Sequence, residues 1–419
     1  MKKIVALFLS LAMVLSMGVM LSGCDQAGSD LKGLSESPLA APTLKTDITV
    51  PEDFKIGFIF LHDDKSTYDK NFMDAADEVI KLLGLTKDQY VYRYPVNEEE
   101  ECPQAAEYLA QQGCDIIFAN SFGHESGMKE IAAKYPNIEF CHATGTTAHT
   151  STDLKNFHNA FASIYQGRYL AGIAAGLKLN EMIENGDIKA EQAVMGYVGA
   201  FPYAEVVSGY TSFYLGAKSV CPSVTMKVNY TNSWFHVDKE RQNALALIND
   251  GCVLISQHAD SMGAPSACEE KGIPNISYNG STYDDCPETF IVSSRINWAP
   301  YFLYIIESVV KGEDIAVDWC GGIAEGSVVL TGINQDVAAE GTVKAIEDAI
   351  KKLKDGTIKV FDTDNFTVKG EKLTTYMADV DTDDAFTPDT EAIADGYFAE
   401  SEKRSAPYFD VRIDGITEQ

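Results

Sequence analysis

From Lys55 to about residue 354, short apolar runs and amphipathic stretches take turns along the chain. Runs of about four to eight apolar residues bounded by polar or Gly-rich turns predict strands. They fall at 55–61, 90–95, 115–120, 138–144, 156–162, 193–200, 224–231, 252–258, 274–278 and 289–296. Between them apolar positions recur at helical spacing, which predicts helices near 72–83, 103–112, 126–134, 165–183, 206–219, 239–249, 264–271, 298–311 and 340–354. This alternation predicts an α/β protein whose parallel sheets are covered by helices on both faces.

An internal repeat divides the pattern in two. Residues 113–140 align without a gap on 251–278, with Gly113/Gly251, Cys114/Cys252, Ile117/Ile255, Pro136/Pro274, Asn137/Asn275 and Ile138/Ile276 identical. Two related, doubly wound lobes follow from it. Ligands of open α/β sheets bind beyond the carboxyl ends of the strands, so two facing lobes place both sets of loops around one cleft.

The pattern at the start is different. Lys2 and Lys3 precede an almost wholly apolar run over 4–21, and Leu21-Ser22-Gly23-Cys24 matches the bacterial lipobox. Residues 1–23 are therefore expected to be a lipoprotein signal peptide, with Cys24 the lipidated anchor. Residues 25–50, rich in Ser, Gly, Pro and Ala, show no periodicity, and 24–53 are expected to be the lipidated cysteine and a flexible tether. No later run is long enough to span a bilayer.

Charge and cysteine usage narrow the partners. The 419-residue chain has a formal charge of −29; without residues 1–23, which hold two lysines and no acid, it has 31 basic and 62 acidic residues, a charge of −31. Such a field opposes binding to nucleic acid or anionic lipid by bulk charge. The cysteines at 102, 114, 141, 221, 252, 268, 286 and 320 are scattered, with no metal-ligand spacing. No metal or cofactor is expected.

The loops after the predicted strands carry the candidate chemistry. They are His62–Phe72, Ser121-Phe122-Gly123-His124, Phe201–Glu205, Asn232–His236 and His258–Ser261. Each joins aromatic surface to hydrogen-bonding groups, the mixture found in small-molecule pockets. Enzyme signatures fail. Ser126 stands fourth rather than third in Gly123–Gly127, His124-Glu125 lacks a second zinc-binding His, and there is neither a Walker A nor a dinucleotide-binding glycine motif. Asp379–Asp384 opens like a calcium loop, but Asp384 replaces the turn Gly and Thr390 the bidentate Glu.

The segments DIIFANSFG (115–123), YQGRYLAGIAAG (165–176), MGYVGAFP (195–202), ISQHADS (255–261), NWAPYF (297–302) and CGGIAEGSVVLTGIN (320–334) together resemble the basic membrane protein family of lipoproteins. These are substrate-binding components of ABC transporters, several of which bind purine nucleosides or a free purine base. The resemblance covers roughly 54–360. It implies a type I periplasmic-binding-protein fold, with lobe one at 54–162 plus 296–326, lobe two at 163–295 plus 327–360, and an extension at 361–419. It also implies a monomer that delivers its ligand to a permease and ATPase complex from the extracytoplasmic face of the membrane.

Carried over residue by residue, the resemblance places Thr67, Tyr68, Asn71 and Phe72 in the first ligand loop and Ser121 and Phe122 in the second. Trp234 or Phe235 supplies the lobe-two aromatic over the base, His258 and Asp260 line the cleft, and Asn279 takes the place of a ribose-binding acid. At the second crossing, where nucleoside binders carry a Lys, Arg295 offers a substitute cation, whereas Asn297-Trp298 is similar to the branch that binds a free base. A flat purine between aromatic side chains from the two lobes gains about 1–3 kcal/mol of stacking per base. The alternatives are a tethered sensor that passes occupancy to a membrane receptor, and an exported α/β enzyme.

Overall fold

The computed structural model describes residues 32–380 and 387–419. The expected signal peptide, Cys24 and most of the acidic 379–384 loop lie outside the described residues. Strand β1 (Ile56–Ile59) leads through α1 (Thr67–Leu83), β2 (Tyr90–Arg93), α2 (Glu101–Gln111), β3 (Ile116–Ala119), α3 (Glu125–Ala132) and β4 (Glu139–Ala143) to β5 (Phe157–Ala162). The chain then changes sheets and builds α4 (Ile164–Glu184), β6 (Val194–Gly199), α5 (Ala204–Val220), β7 (Thr225–Tyr230), α6 (Val237–Asn249), β8 (Leu254–His258), α7 (Gly263–Lys271), β9 (Asn275–Tyr278) and β10 (Phe290–Ile296). It returns for α8 (Ala299–Lys311) and β11 (Asp318–Gly321), and crosses once more to β12 (Val328–Leu330) and α9 (Thr342–Lys354). Two short ladders, β13 (Met377–Ala378) with β14 (Thr390–Glu391) and β15 (Ile393–Ala394) with β16 (Tyr397–Phe398), precede β17 (Ile416–Glu418).

The first sheet has the order β11-β5-β4-β3-β1-β2, all parallel. The second runs β12-β10-β9-β8-β6-β7-β17, parallel except for the β10–β12 pair. Strands such as β1 (IGFI), β3 (IIFA) and β8 (LISQH) are buried along their whole length, as strands covered on both faces must be. The repeat supplies β3–α3–β4 to one sheet and β8–α7–β9 to the other. Ser121-Phe122 and Ala259-Asp260 thus leave equivalent strand ends.

Helix pair α4–α5 explains one run of small residues. A Cβ at Gly172 would stand 2.0 Å from the Phe213 carbonyl oxygen, and one at Gly216 would stand 2.0 Å from that of Tyr169. Glycine at both positions lets the two backbones touch. This is why α4 is buried around most of its circumference instead of showing one apolar stripe.

One segment departs from expectation, and a second, whose role the sequence leaves open, takes a definite place. Residues 32–53 do not behave as a tether: they form a strap fastened to both lobes. Leu34 bridges to Asn334, the Leu330 N–H donates to the Leu39 carbonyl at 2.9 Å, and Thr46 Oγ1 donates to Glu307 on α8 at 2.5 Å. Leu39 is buried and Leu44, Ile48 and Val50 pack on the core, so apolar residues spaced irregularly among polar ones still found a groove. The extension at 361–419 is also integral. β17 adds a strand beside β7, Phe361 stacks on Phe409 (4.2 Å between centroids), and Tyr165 of α4 packs on Phe361. Glu400 accepts from Ser208 Oγ of α5 (2.5 Å) while the Ser405 N–H donates to Asp318 Oδ2 of β11 (2.7 Å).

Candidate functional site: the cleft between the lobes

The loops at the carboxyl ends of β1, β3 and β4 face those of β6, β7, β8 and β9. Between them is a small cavity of about 20 Å³. Leu61, Tyr68, Ser121, Phe122 and Thr144 line it from one lobe; Glu205, Trp234, His258, Asp260 and Tyr278 line it from the other. The lobes are closed on this space. The Thr67 N–H donates across the junction to the Asp260 carbonyl at 3.0 Å, and the rings of His62 and Phe235 approach to 5.4 Å.

Local sequence explains the loop geometry. Ser66 caps α1, its Oγ accepting from the Asp69 N–H at 3.1 Å. The helix therefore begins at Thr67, five residues before the expected start, and presents Tyr68 from its first turn. Buried Asp69 accepts from the His62 N–H (3.1 Å) and Asn120 Nδ2 (2.7 Å), and the Asn120 carbonyl accepts from the Tyr68 hydroxyl (2.6 Å). Burial alone would raise the Asp69 pKa, but donation from His62, Asn120 and Ser66 outweighs it and holds the carboxyl below its ordinary value. In lobe two, Glu240 accepts from the N–H groups of His236 (3.0 Å) and Ser261 (3.1 Å), and the Asp260 N–H donates to the Trp234 carbonyl (2.9 Å). The Trp234 and Asp260 loops are fixed to each other.

Of the residues carried over from the sequence, Tyr68, Ser121, Phe122, Trp234, His258 and Asp260 come together around the cavity. The others sit elsewhere. Thr67 belongs to the lobe junction. Asn71 Nδ2 donates to Asn279 Oδ1 at 2.9 Å, so these two residues are engaged with each other. Phe235 packs against His62 at the junction. Phe72 and Trp298 are core residues stacked on one another (4.4 Å, 21°), with Tyr68 edge-on to Phe72 at 4.9 Å. They support the cavity floor from beneath and do not line it: an apolar helix face and a residue at a helix start read alike as site or core until the sheet behind them is known. Arg295 is half-buried and does not line the cavity, and its Nε has no hydrogen-bond partner among the described residues.

Leu61, Thr144 and Tyr278 line the cavity but are not among the expected site residues, and Glu205, expected only as the end of a candidate loop, lines it as well. Each ends or follows a predicted strand, which is the signal that identifies them. The extension contributes as well: Arg404, Ala406, Pro407 and Asp410 line a chamber beside Phe122, Tyr203 and Trp234 at the cleft flank.

The cavity is acidic and partly aromatic. Burial, reinforced by Glu240, Asp69 and Glu205, pushes the Asp260 carboxyl well above the usual carboxylate range. No hydrogen bond among the described residues reaches that carboxyl. Burial lowers the pKa of His258 despite a 3.4 Å contact from its Nε2 to Glu205, so the ring is neutral near pH 7. Phe122 keeps 43% exposure at the rim, facing Tyr203 at 5.8 Å. Among the described residues no group of His, Cys, Asp and Glu is placed to hold a metal ion, and the eight cysteines are free.

Two parallel-sheet lobes shut on a polar and aromatic cavity define a solute-binding protein of the periplasmic type. The chain belongs to the Bmp family of PnrA-like ABC transporter substrate-binding proteins, whose profile matches residues 59–364. It is 31% identical over 346 residues to a purine-binding protein of Brucella abortus, covering 79% of this chain and 93% of that one. It is 34% identical over 246 residues, 58% of this chain and 59% of the relative, to a Haloferax volcanii protein provisionally named as the glucose-binding protein of an ABC transporter. A solute-binding protein of an ABC transporter system from Aeropyrum pernix shares the fold, with a TM-score of 0.61 and 16% identity over 74% of this chain and 93% of that one. The family consists of binding proteins, not enzymes, that act outside the cytoplasm. No helix among the described residues is long and apolar enough to cross a membrane.

Proposed function

We propose that this protein captures a purine nucleoside or purine base in the cleft and delivers it to an ABC permease, working from the membrane surface through a lipid on Cys24. One observation carries the ligand assignment: the buried, unpartnered Asp260 carboxyl lies among Tyr68, Phe122, Trp234 and Tyr278. A carboxylate accepts from the N–H edge of a heterocycle, and aromatic rings from both lobes cover its faces. The Brucella relative supports the reading. Monomeric action and lipidation rest on the family resemblance and on Leu21–Cys24.

Titration calorimetry on the full-length chain in detergent tests it, with adenosine, guanosine, inosine, adenine, hypoxanthine and glucose as ligands. Binding of at least one purine, with none or much weaker binding of glucose, is expected. Heat from glucose alone would replace the purine by a sugar and leave the solute-binding class intact.

A further inference from the structure

Most hydrogen-bonding groups around the cavity are already engaged. In lobe one the Tyr68 hydroxyl donates to Asn120 and Ser121 Oγ donates to Glu98 Oε1 (2.6 Å each). In lobe two the ring nitrogens of His258 meet the Tyr197 hydroxyl and Glu205 (3.4 Å each). Three buried side chains are left over. Thr144 Oγ1 and the Tyr278 hydroxyl are buried with no partner, and the Asp260 carboxyl receives no hydrogen bond among the described residues.

Both orphan hydroxyls are firmly placed. Thr144 follows β4 with φ +69°, a conformation that a β-branched residue adopts only where its surroundings enforce it, and its N–H is tied to the Ala160 carbonyl at 3.0 Å. Tyr278 ends β9, with the His258 ring 4.3 Å away and the Arg168 guanidinium 5.3 Å from its ring centre. Buried hydroxyls without partners are rare in folded proteins and destabilising, and one group on each side of the same cavity indicates that a solute completes them.

We infer that Thr144 and Tyr278 determine specificity in this cleft: their hydroxyls donate to acceptor atoms of the solute, while Asp260 and Glu205 accept from its N–H or O–H groups. The inference rests on the purine reading, since a purine carries ring-nitrogen or carbonyl acceptors beside an N–H edge. It adds a limit. The cavity lining holds two carboxyl groups and no Lys or Arg, so an anion such as a nucleotide is rejected.

Thr144→Val and Tyr278→Phe remove the hydroxyls and little else. Affinities of the full-length variants for adenosine, inosine, adenine, hypoxanthine, adenosine monophosphate and glucose are measured by calorimetry, alongside melting temperatures without ligand. Each variant should bind its best purine about tenfold more weakly. Its unliganded melting temperature should hold or rise, because an unpaired buried group has gone. Wild-type affinity in both variants overturns the inference, as does a fall in unliganded melting temperature that accounts for the lost affinity. Adenosine monophosphate binding as tightly as adenosine overturns the charge limit. If wild type answers only to glucose, the purine reading fails while the same variants decide the hydroxyl roles on glucose; silence towards every ligand overturns both.

Discussion

Asn71 and Asn279 hydrogen-bond directly across the lobe junction, Nδ2 to Oδ1 at 2.9 Å, and both are buried. Asn279 holds φ +62° and its own Nδ2 has no partner, so the contact fixes one end of a side chain whose other end is unmet. With the Thr67–Asp260 bond it forms a latch made entirely of protein groups.

Removing that latch should loosen the closed state. Asn71→Ala forfeits a hydrogen bond contributing about 1 kcal/mol, shifting the closed-to-open ratio about fivefold. Small-angle scattering of the unliganded variant should show a larger radius of gyration than wild type, restored by ligand. Identical curves for the two proteins would mean that other contacts hold the lobes shut.

Asp260 makes stability depend on pH in a defined direction. Its folded-state pKa lies above the unfolded one, raised by burial and then by Glu240, Asp69 and Glu205. The closed protein therefore holds a proton that the unfolded chain releases: the stabilisation is complete below the ordinary carboxylate range and is lost as pH rises through the raised pKa. Asp260→Asn stays neutral. Without ligand it should melt like wild type near pH 4 and above it near pH 8, with purine binding lost. Parallel melting profiles across that range would remove Asp260 from the account.

Trp234 tests the aromatic platform. It packs edge-on to Phe201 at 5.2 Å and reaches the cavity from lobe two. Losing a stacking partner of about 2 kcal/mol corresponds to roughly thirtyfold weaker binding in Trp234→Ala. Calorimetry reads this directly; unchanged affinity would move the platform to Phe122 and Tyr203.

Anchoring is tested by Cys24→Ala. The variant should leave the membrane fraction for the soluble one while keeping its melting temperature. Retention on membranes after a high-salt wash would end the lipoprotein assignment.

The alternation of apolar runs discloses the ten central strands and the nine α-helices of the described residues because buried parallel strands leave a continuous hydrophobic trace. Strands β11 to β17 escape that pattern. Asp318–Gly321 and Ile416–Glu418 lie at sheet edges, where one flank is uncovered and the apolar run is correspondingly short. Loops at strand ends located the site, yet the roles of Asn71, Phe72 and Trp298 depended on which face of α1 and α8 met the sheet. The capping Ser66-x-x-Asp69 turn, which moves Tyr68 onto a helix, was legible as a capping pattern but hidden within a run of polar residues.

The contacts of Glu400 with Ser208 and of Ser405 with Asp318 have a kinetic consequence. A hinge made only of strand crossings opens at the pace of a few backbone torsions. Here each opening must also drag or detach a packed segment that walls one flank of the cleft. Entry and escape of a solute are therefore expected to slow together, with equilibrium affinity left to the cavity and residence time to the tail of the chain.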